Sequence, residues 1–136
     1  MTGSWNFIRT RDLLEDLGVS IVKEDMSRSL LVASDEANAI INMVFDCATD
    51  VLIMEQIVSV VPENNTEEFF KRVLQINRDI LYGAFAVDLN ARVLLFRATH
   101  PFDRLTKYMI ESSLRGLEQA MGLFGRELAR FHSAAG

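Results

Sequence analysis

From Ile110 to Phe131 the apolar residues fall at Ile110, Leu114, Leu117, Met121, Phe124, Leu128 and Phe131, with spacings of 4, 3, 4, 3, 4 and 3. That rhythm keeps one stripe of a helix apolar over about three heptads. Few charges sit where a paired coil would need them, so the stripe is read as a face packed on a sheet. Asp103 or Thr106 is available to cap this helix, which is expected to run to about His132 and leave 133–136 as a fraying tail.

Upstream the periods are shorter. Asn6 to Leu17 reads as a first helix with Leu13, Leu14 and Leu17 on one face, and Gly18 as its stop. Val19 to Glu24 and Ser29 to Ser34 read as a hairpin around Asp25-Met26-Ser27-Arg28. Ala39 to Cys47 and Val51 to Val61 read as two more strands, joined at Ala48-Thr49-Asp50 and ended by Pro62. Asn65 with Glu68 three residues on is a capping-box pattern for a helix running to about Leu81, followed by Gly83. Ala84 to Asp88 and Arg92 to Thr99 form a last hairpin across Leu89-Asn90-Ala91. The order α-β-β-β-β-α-β-β-α, with hairpin connections, gives an α+β fold built on an antiparallel sheet over one domain, residues 1–136.

Two strands are apolar on both faces. In Val51 to Val61, Val51, Ile53 and Ile57 share one face while Leu52, Met54, Val58 and Val60 share the other. In Ala39 to Cys47, strict alternation sets Ile41, Met43 and Phe45 on one side and Ile40 and Val44 on the other. A sheet covered on one side alone alternates apolar and polar. Two arrangements satisfy the pattern: a second chain lies over one face, or the first helix crosses to the far face. The first is the working expectation.

Composition narrows the function classes. The 136 residues carry 14 Lys plus Arg against 19 Asp plus Glu, a net charge of −5, and 49% are hydrophobic. An acidic chain without a dense basic stretch is not built for nucleic-acid backbones or anionic lipid surfaces. The start, Met1-Thr2-Gly3-Ser4-Trp5-Asn6, has neither a basic nor an apolar signal region, and no apolar run is long enough to span a bilayer, so a cytoplasmic location is expected. Cys47 is the one cysteine and reads as a small buried apolar residue.

Candidate chemistry is sparse. His100 and His132 are isolated, without metal-ligand spacing, and read as a loop residue and a helix-end residue. No catalytic constellation, metal site or cofactor-binding motif is present in the sequence. Asn77, amid Leu74, Ile76 and Ile80, needs a partner such as a strand backbone. Arg97 shares a strand face with Val93 and Leu95 and needs an anion, most simply an internal Asp or Glu. Gly116, with Ser113 and Ala120, points to close approach of a neighbouring backbone, or the helix breaks near Gly122-Leu123-Phe124-Gly125.

The segments Asn42-Met43-Val44-Phe45-Asp46-Cys47, Ile53-Met54-Glu55-Gln56, Leu74-Gln75-Ile76-Asn77, Gly83-Ala84-Phe85-Ala86-Val87-Asp88 and Val93-Leu94-Leu95-Phe96-Arg97 resemble the YbjN-type bacterial domain. That family is similar in fold to type III secretion chaperones of the Tir class, which are small acidic homodimers that bind an unfolded segment of an effector. The resemblance implies a type III secretion chaperone-like fold and a dimer. It covers nearly the whole chain, and its motifs are structural.

Together these readings give a non-enzymatic, chaperone-like or regulatory protein-binding module acting as a homodimer. Its candidate contact residues are Leu13, Leu17, Met43, Phe45, Ile53 and Ile57. The alternative is a small-molecule sensor or enzyme with Asn77, Arg97 and His100 lining a pocket between the second helix and the last hairpin.

Overall fold

A computed structural model describes residues 2–133; the tail at 134–136 lies outside the described residues. The elements are α1 (Thr2–Asp16), β1 (Ser20–Asp25), β2 (Leu30–Asp35), β3 (Ile40–Asp46), β4 (Val51–Val60), α2 (Thr66–Asn77), β5 (Ala84–Val87), β6 (Val93–Pro101) and α3 (Lys107–Ser133). Short 3-10 turns at Glu36–Asn38 and Phe102–Arg104 complete the path. The six strands form one sheet in the order β1-β2-β3-β4-β6-β5, and every pairing is antiparallel. The fold class and the order of elements are those expected from the sequence.

All three helices pack on one face. Phe7 and Leu14 of α1, Phe69, Val73 and Ile76 of α2, and Ile110, Leu114, Leu117 and Leu128 of α3 join a single core with Leu31, Met43, Phe45, Leu52, Met54, Leu94 and Phe96 of the sheet. The apolar stripe of α3 is therefore a core face, as its spacing predicts. The first helix does not cross to the far side. Its Arg9 guanidinium donates to the carbonyls of Phe102 (2.8 Å) and Leu105, and Asn6 donates to that of Thr49. Among the described residues, the opposite face of the sheet carries no helix.

The facing of β3 departs from simple alternation. Ala33 pairs with Met43 but Asp35 pairs with Ile40, so β3 holds an extra residue, and Asn42 sits in the left-handed region at φ 49°. One added residue reverses the parity of everything beyond it. Ile40 thus joins Met43 and Phe45 in the core, and Ile41 turns out beside Val44. The expected grouping of Ile41 with Met43 and Phe45 is corrected accordingly. Where the bulge draws β3 away, the β3–β4 ladder is registered only from Val44 to Asp46. The Gln56 amide bridges the gap, accepting from Ile41 N–H (2.9 Å) and donating to Ala39 C=O (3.1 Å).

Helix ends differ from expectation in three places. α1 begins earlier than Asn6, and α2 ends at Asn77 rather than near Leu81. Asn65 precedes α2 but is left-handed (φ 57°) and makes no side-chain cap, so the capping box does not form. Thr66 instead donates its hydroxyl to the carbonyls of Pro62 (2.8 Å) and Glu63. At α3, Thr106 is the cap, accepting from Met109 N–H, while Asp103 lies in the preceding 3-10 turn.

α3 is continuous through Gly122 and Gly125, so it does not break. Gly116 serves close approach: a Cβ there would stand 2.7 Å from the carbonyl oxygen of Leu81. Ser113, one turn earlier, donates its hydroxyl to the carbonyl of Tyr82 at 2.7 Å. The connection from α2 to β5 is thus seated on the small-residue side of α3.

Candidate functional site

The helix-free sheet face carries a run of exposed apolar residues. Ile57 is 66% exposed and Ile41 52%, with Val44 also exposed, and Val60 joins them because a register shift between Ile57 and Ser59 turns it away from the expected side of Leu52 and Met54. Ile53, Val51 and Leu95 are half-buried on the same side. A groove lined by Ile41, Asn42, Val44, Glu55, Ile57 and Leu95 runs where the bulge draws β3 off β4. Its floor is β-branched and aliphatic, the surface that packs against another sheet, strand or helix. Exposed apolar surface spread over several strands marks an interaction site.

One ion pair sits in this face. Arg97 and Glu55 are direct cross-strand partners, with Nε 3.8 Å from Oε2, which is ionic contact without a hydrogen bond. Arg97 therefore finds the internal acid that its half-buried position requires. The two side chains remain 41% and 40% exposed, so solvent screens the pair and it contributes at most about 1 kcal/mol.

The candidate contact residues separate into three groups. Ile53 and Ile57 lie on the helix-free face. Leu13 and Leu17 are half-buried against the core at α1. Met43 and Phe45 are 0% exposed beneath the helices, out of reach of any docking chain, because Phe45 pairs with Met54 on the core side of β4 and Met43 shares that side.

The three residues of the alternative site do not converge. The Asn77 amide is committed to Phe85, donating to its carbonyl (3.0 Å) and accepting from its N–H (2.7 Å). His100 belongs to β6 rather than a loop and is buried on the core side, with Nε2 2.8 Å from Ser113 Oγ. Burial holds its imidazole below the ordinary histidine range. Arg97 points to the opposite face. Arg97 and His100 do border one shallow depression with Tyr82, Gly83 and Ala84 at the sheet margin, but Asn77 does not line it.

Cys47 is fully buried, and desolvation pushes its thiol up to about 11, so it is held neutral. Among the described residues no group of His, Cys, Asp and Glu is arranged to hold a metal ion. Among them also, no helix is long and apolar enough to cross a membrane.

Comparisons with known proteins return the same overall fold. A family model described as CesT_Tir_1 matches residues 4–134. The chain belongs to the CesT_Tir_1 family. Of solved structures, YbjN from E. coli is similar with a TM-score of 0.66 and 14% identity, over 88% of this chain and 90% of that one. A protein from Methanothermobacter thermautotrophicus gives 0.64 and 17%, over 92% and 97%. A chain of the HopA1–SchA chaperone–effector complex gives 0.57 and 15%, over 85% and 91%. At these identities the likeness is one of fold. No curated protein matches by sequence. The CesT_Tir_1 chain thus has the YbjN-type, chaperone-like fold that its motifs resemble.

Proposed function

We propose that this protein is a non-enzymatic, chaperone-like binding module of the cytoplasm, acting as a homodimer, which holds another polypeptide through its helix-free sheet face. The observation that carries this reading is the groove at Ile41, Val44 and Ile57, an apolar strip on a sheet whose other face already bears all three helices. Ile53 and Ile57 are its contact residues; Leu13 and Leu17 pack against the core on the helix side and are not part of that face. Aliphatic surface without a specific polar pattern accepts extended segments of varied sequence. Membership of the CesT_Tir_1 family and likeness to a chaperone bound to its effector support the same reading.

The test is to measure solution mass and the ability to keep a reduced, alkylated, permanently unfolded model protein from aggregating, in the wild type and in Ile57→Asp. The wild type is expected to have twice the chain mass of 15.4 kDa and to suppress aggregation. Ile57→Asp, a surface change, should keep its helix content and lose both properties. A wild type that neither self-associates nor protects, or a variant that retains both, overturns the reading.

A further inference from the structure

We infer that Asn77 stands in for a seventh strand, closing the β5 edge of the sheet against backbone pairing with a second copy of this chain. A sheet edge is a row of unpaired N–H and C=O groups that another strand can complete. The register of β5 on β6 sets Ala84 opposite Arg97, Phe85 opposite Phe96, Ala86 opposite Leu95 and Val87 opposite Leu94. The Asp88 N–H goes to Val93 C=O. In an antiparallel pair, backbone groups point alternately inward and outward. Asp88, Ala86 and Ala84 therefore turn their groups toward β6, and Phe85 and Val87 turn theirs to the outside.

Phe85 is where the Asn77 amide lands. Its carbonyl oxygen takes the Phe85 N–H at 2.7 Å, and its NH2 gives to the Phe85 C=O at 3.0 Å. One side-chain amide thus makes the same reciprocal pair that a residue of a neighbouring strand would make. A side-chain amide bridges backbone elsewhere too: Gln56 accepts from Ile41 N–H and donates to Ala39 C=O where β3 parts from β4. Asn77 is the last residue of α2, so the plug is fixed by a helix whose Phe69, Val73 and Ile76 are anchored in the core.

The partner excluded is a second copy, because a two-fold axis beside β5 would lay two identical outward rows antiparallel. Each Phe85 and Val87 would then meet its counterparts, and the two sheets would join into one. Exposed Val87 lies in that edge strand and would be covered by the same contact. This proposal is independent of docking on the sheet face.

The experiment compares solution mass over a concentration series, and hydrogen exchange at the Phe85 amide, in the wild type, Asn77→Ala and Asn77→Ala/Val87→Pro. Proline at position 87 removes an outward N–H while leaving the bonds to β6 intact. Asn77→Ala is expected to speed exchange at Phe85 by about tenfold, the loss of one hydrogen bond. Its mass should rise to twice that of the wild type at high concentration, and the added proline should return it to the wild-type value. A folded Asn77→Ala that keeps the wild-type mass throughout overturns the proposal, as does a rise that proline does not reverse. Should Asn77→Ala fail to fold, Asn77→Asp sets a carboxylate against the Phe85 carbonyl and is read by the same two outcomes.

Discussion

Ser113 gives its one hydroxyl proton to the carbonyl of Tyr82, so the proton it shares with His100 must sit on the imidazole Nε2. Nδ1 is then bare in the neutral fold, and acid adds a second proton there, placing a cation against the core. Burial lowers the folded pKa below the ordinary value of about 6.5 that the unfolded chain keeps. The unfolded state therefore binds the proton first, and stability from neutral His100 is complete above about pH 6.5 and is lost as pH falls below it. Asp25, Asp88 and Glu127 have lowered values, so their contributions fade only at more acid pH. Urea midpoints taken at pH 7.5, 6.5 and 5.5 should fall with pH in the wild type. His100→Gln, which retains a donor for Ser113, should flatten that slope, and an unchanged slope in the variant would remove His100 from the account. Little of this was legible beforehand, because His100 falls just past the expected strand end at Thr99, while the strand continues to Pro101. Asn77 was legible: an amide amid Leu74, Ile76 and Ile80 has to find a partner, and it finds Phe85.

Among the elements, α3 offers a comparison between glycines of opposite sign. At Gly116 an added methyl meets the Leu81 carbonyl at 2.7 Å, and backbone cannot swing aside as a long side chain can. At Gly122 an added methyl meets nothing within 4 Å. Gly116→Ala should cost about 1–3 kcal/mol through forced separation of α3 from the α2–β5 connection. Gly122→Ala should gain up to about 1 kcal/mol from helix propensity alone. Chemical denaturation of the two variants checks both signs, and equal effects would mean that helix propensity alone governs these sites. The 4-3 spacing was enough to place α3 on the core, since a long periodic stripe averages over local error. β3 was not readable in the same way. Its facing depends on counting by two, and a single inserted residue at Asn42 reverses the count with no glycine to announce it. Gln56 carried the signal: a polar residue at the parity of Leu52 and Met54 implies a backbone to satisfy.

For the molecule as a whole, the decisive fact is that three helices share one side of six strands, and this was the hardest to derive. Strands apolar on both faces say that both faces are covered, but not by what. The position of α1 rests on Arg9 and Asn6 reaching distant backbone carbonyls, which no local pattern reveals. The two faces should now answer mutation differently. Phe45→Ala, on the helix side, should cost about 3–5 kcal/mol, whereas Ile53→Ser, on the bare side, should cost well under that as a partly exposed change. A second set of exposed apolar residues, Leu74, Leu81 and Tyr82, lies along α2 and its following connection and provides the control for self-association. If two copies meet through the bare sheet, Ile57→Asp should halve the solution mass while Leu81→Asp leaves it unchanged. A carboxylate at position 57 would be buried without a cation beside it, since Arg97 is already held by Glu55. The reverse result would move the dimer contact to α2 and leave the groove on β3 and β4 open to a different polypeptide. Measuring both variants against the wild type by light scattering therefore assigns the two apolar surfaces.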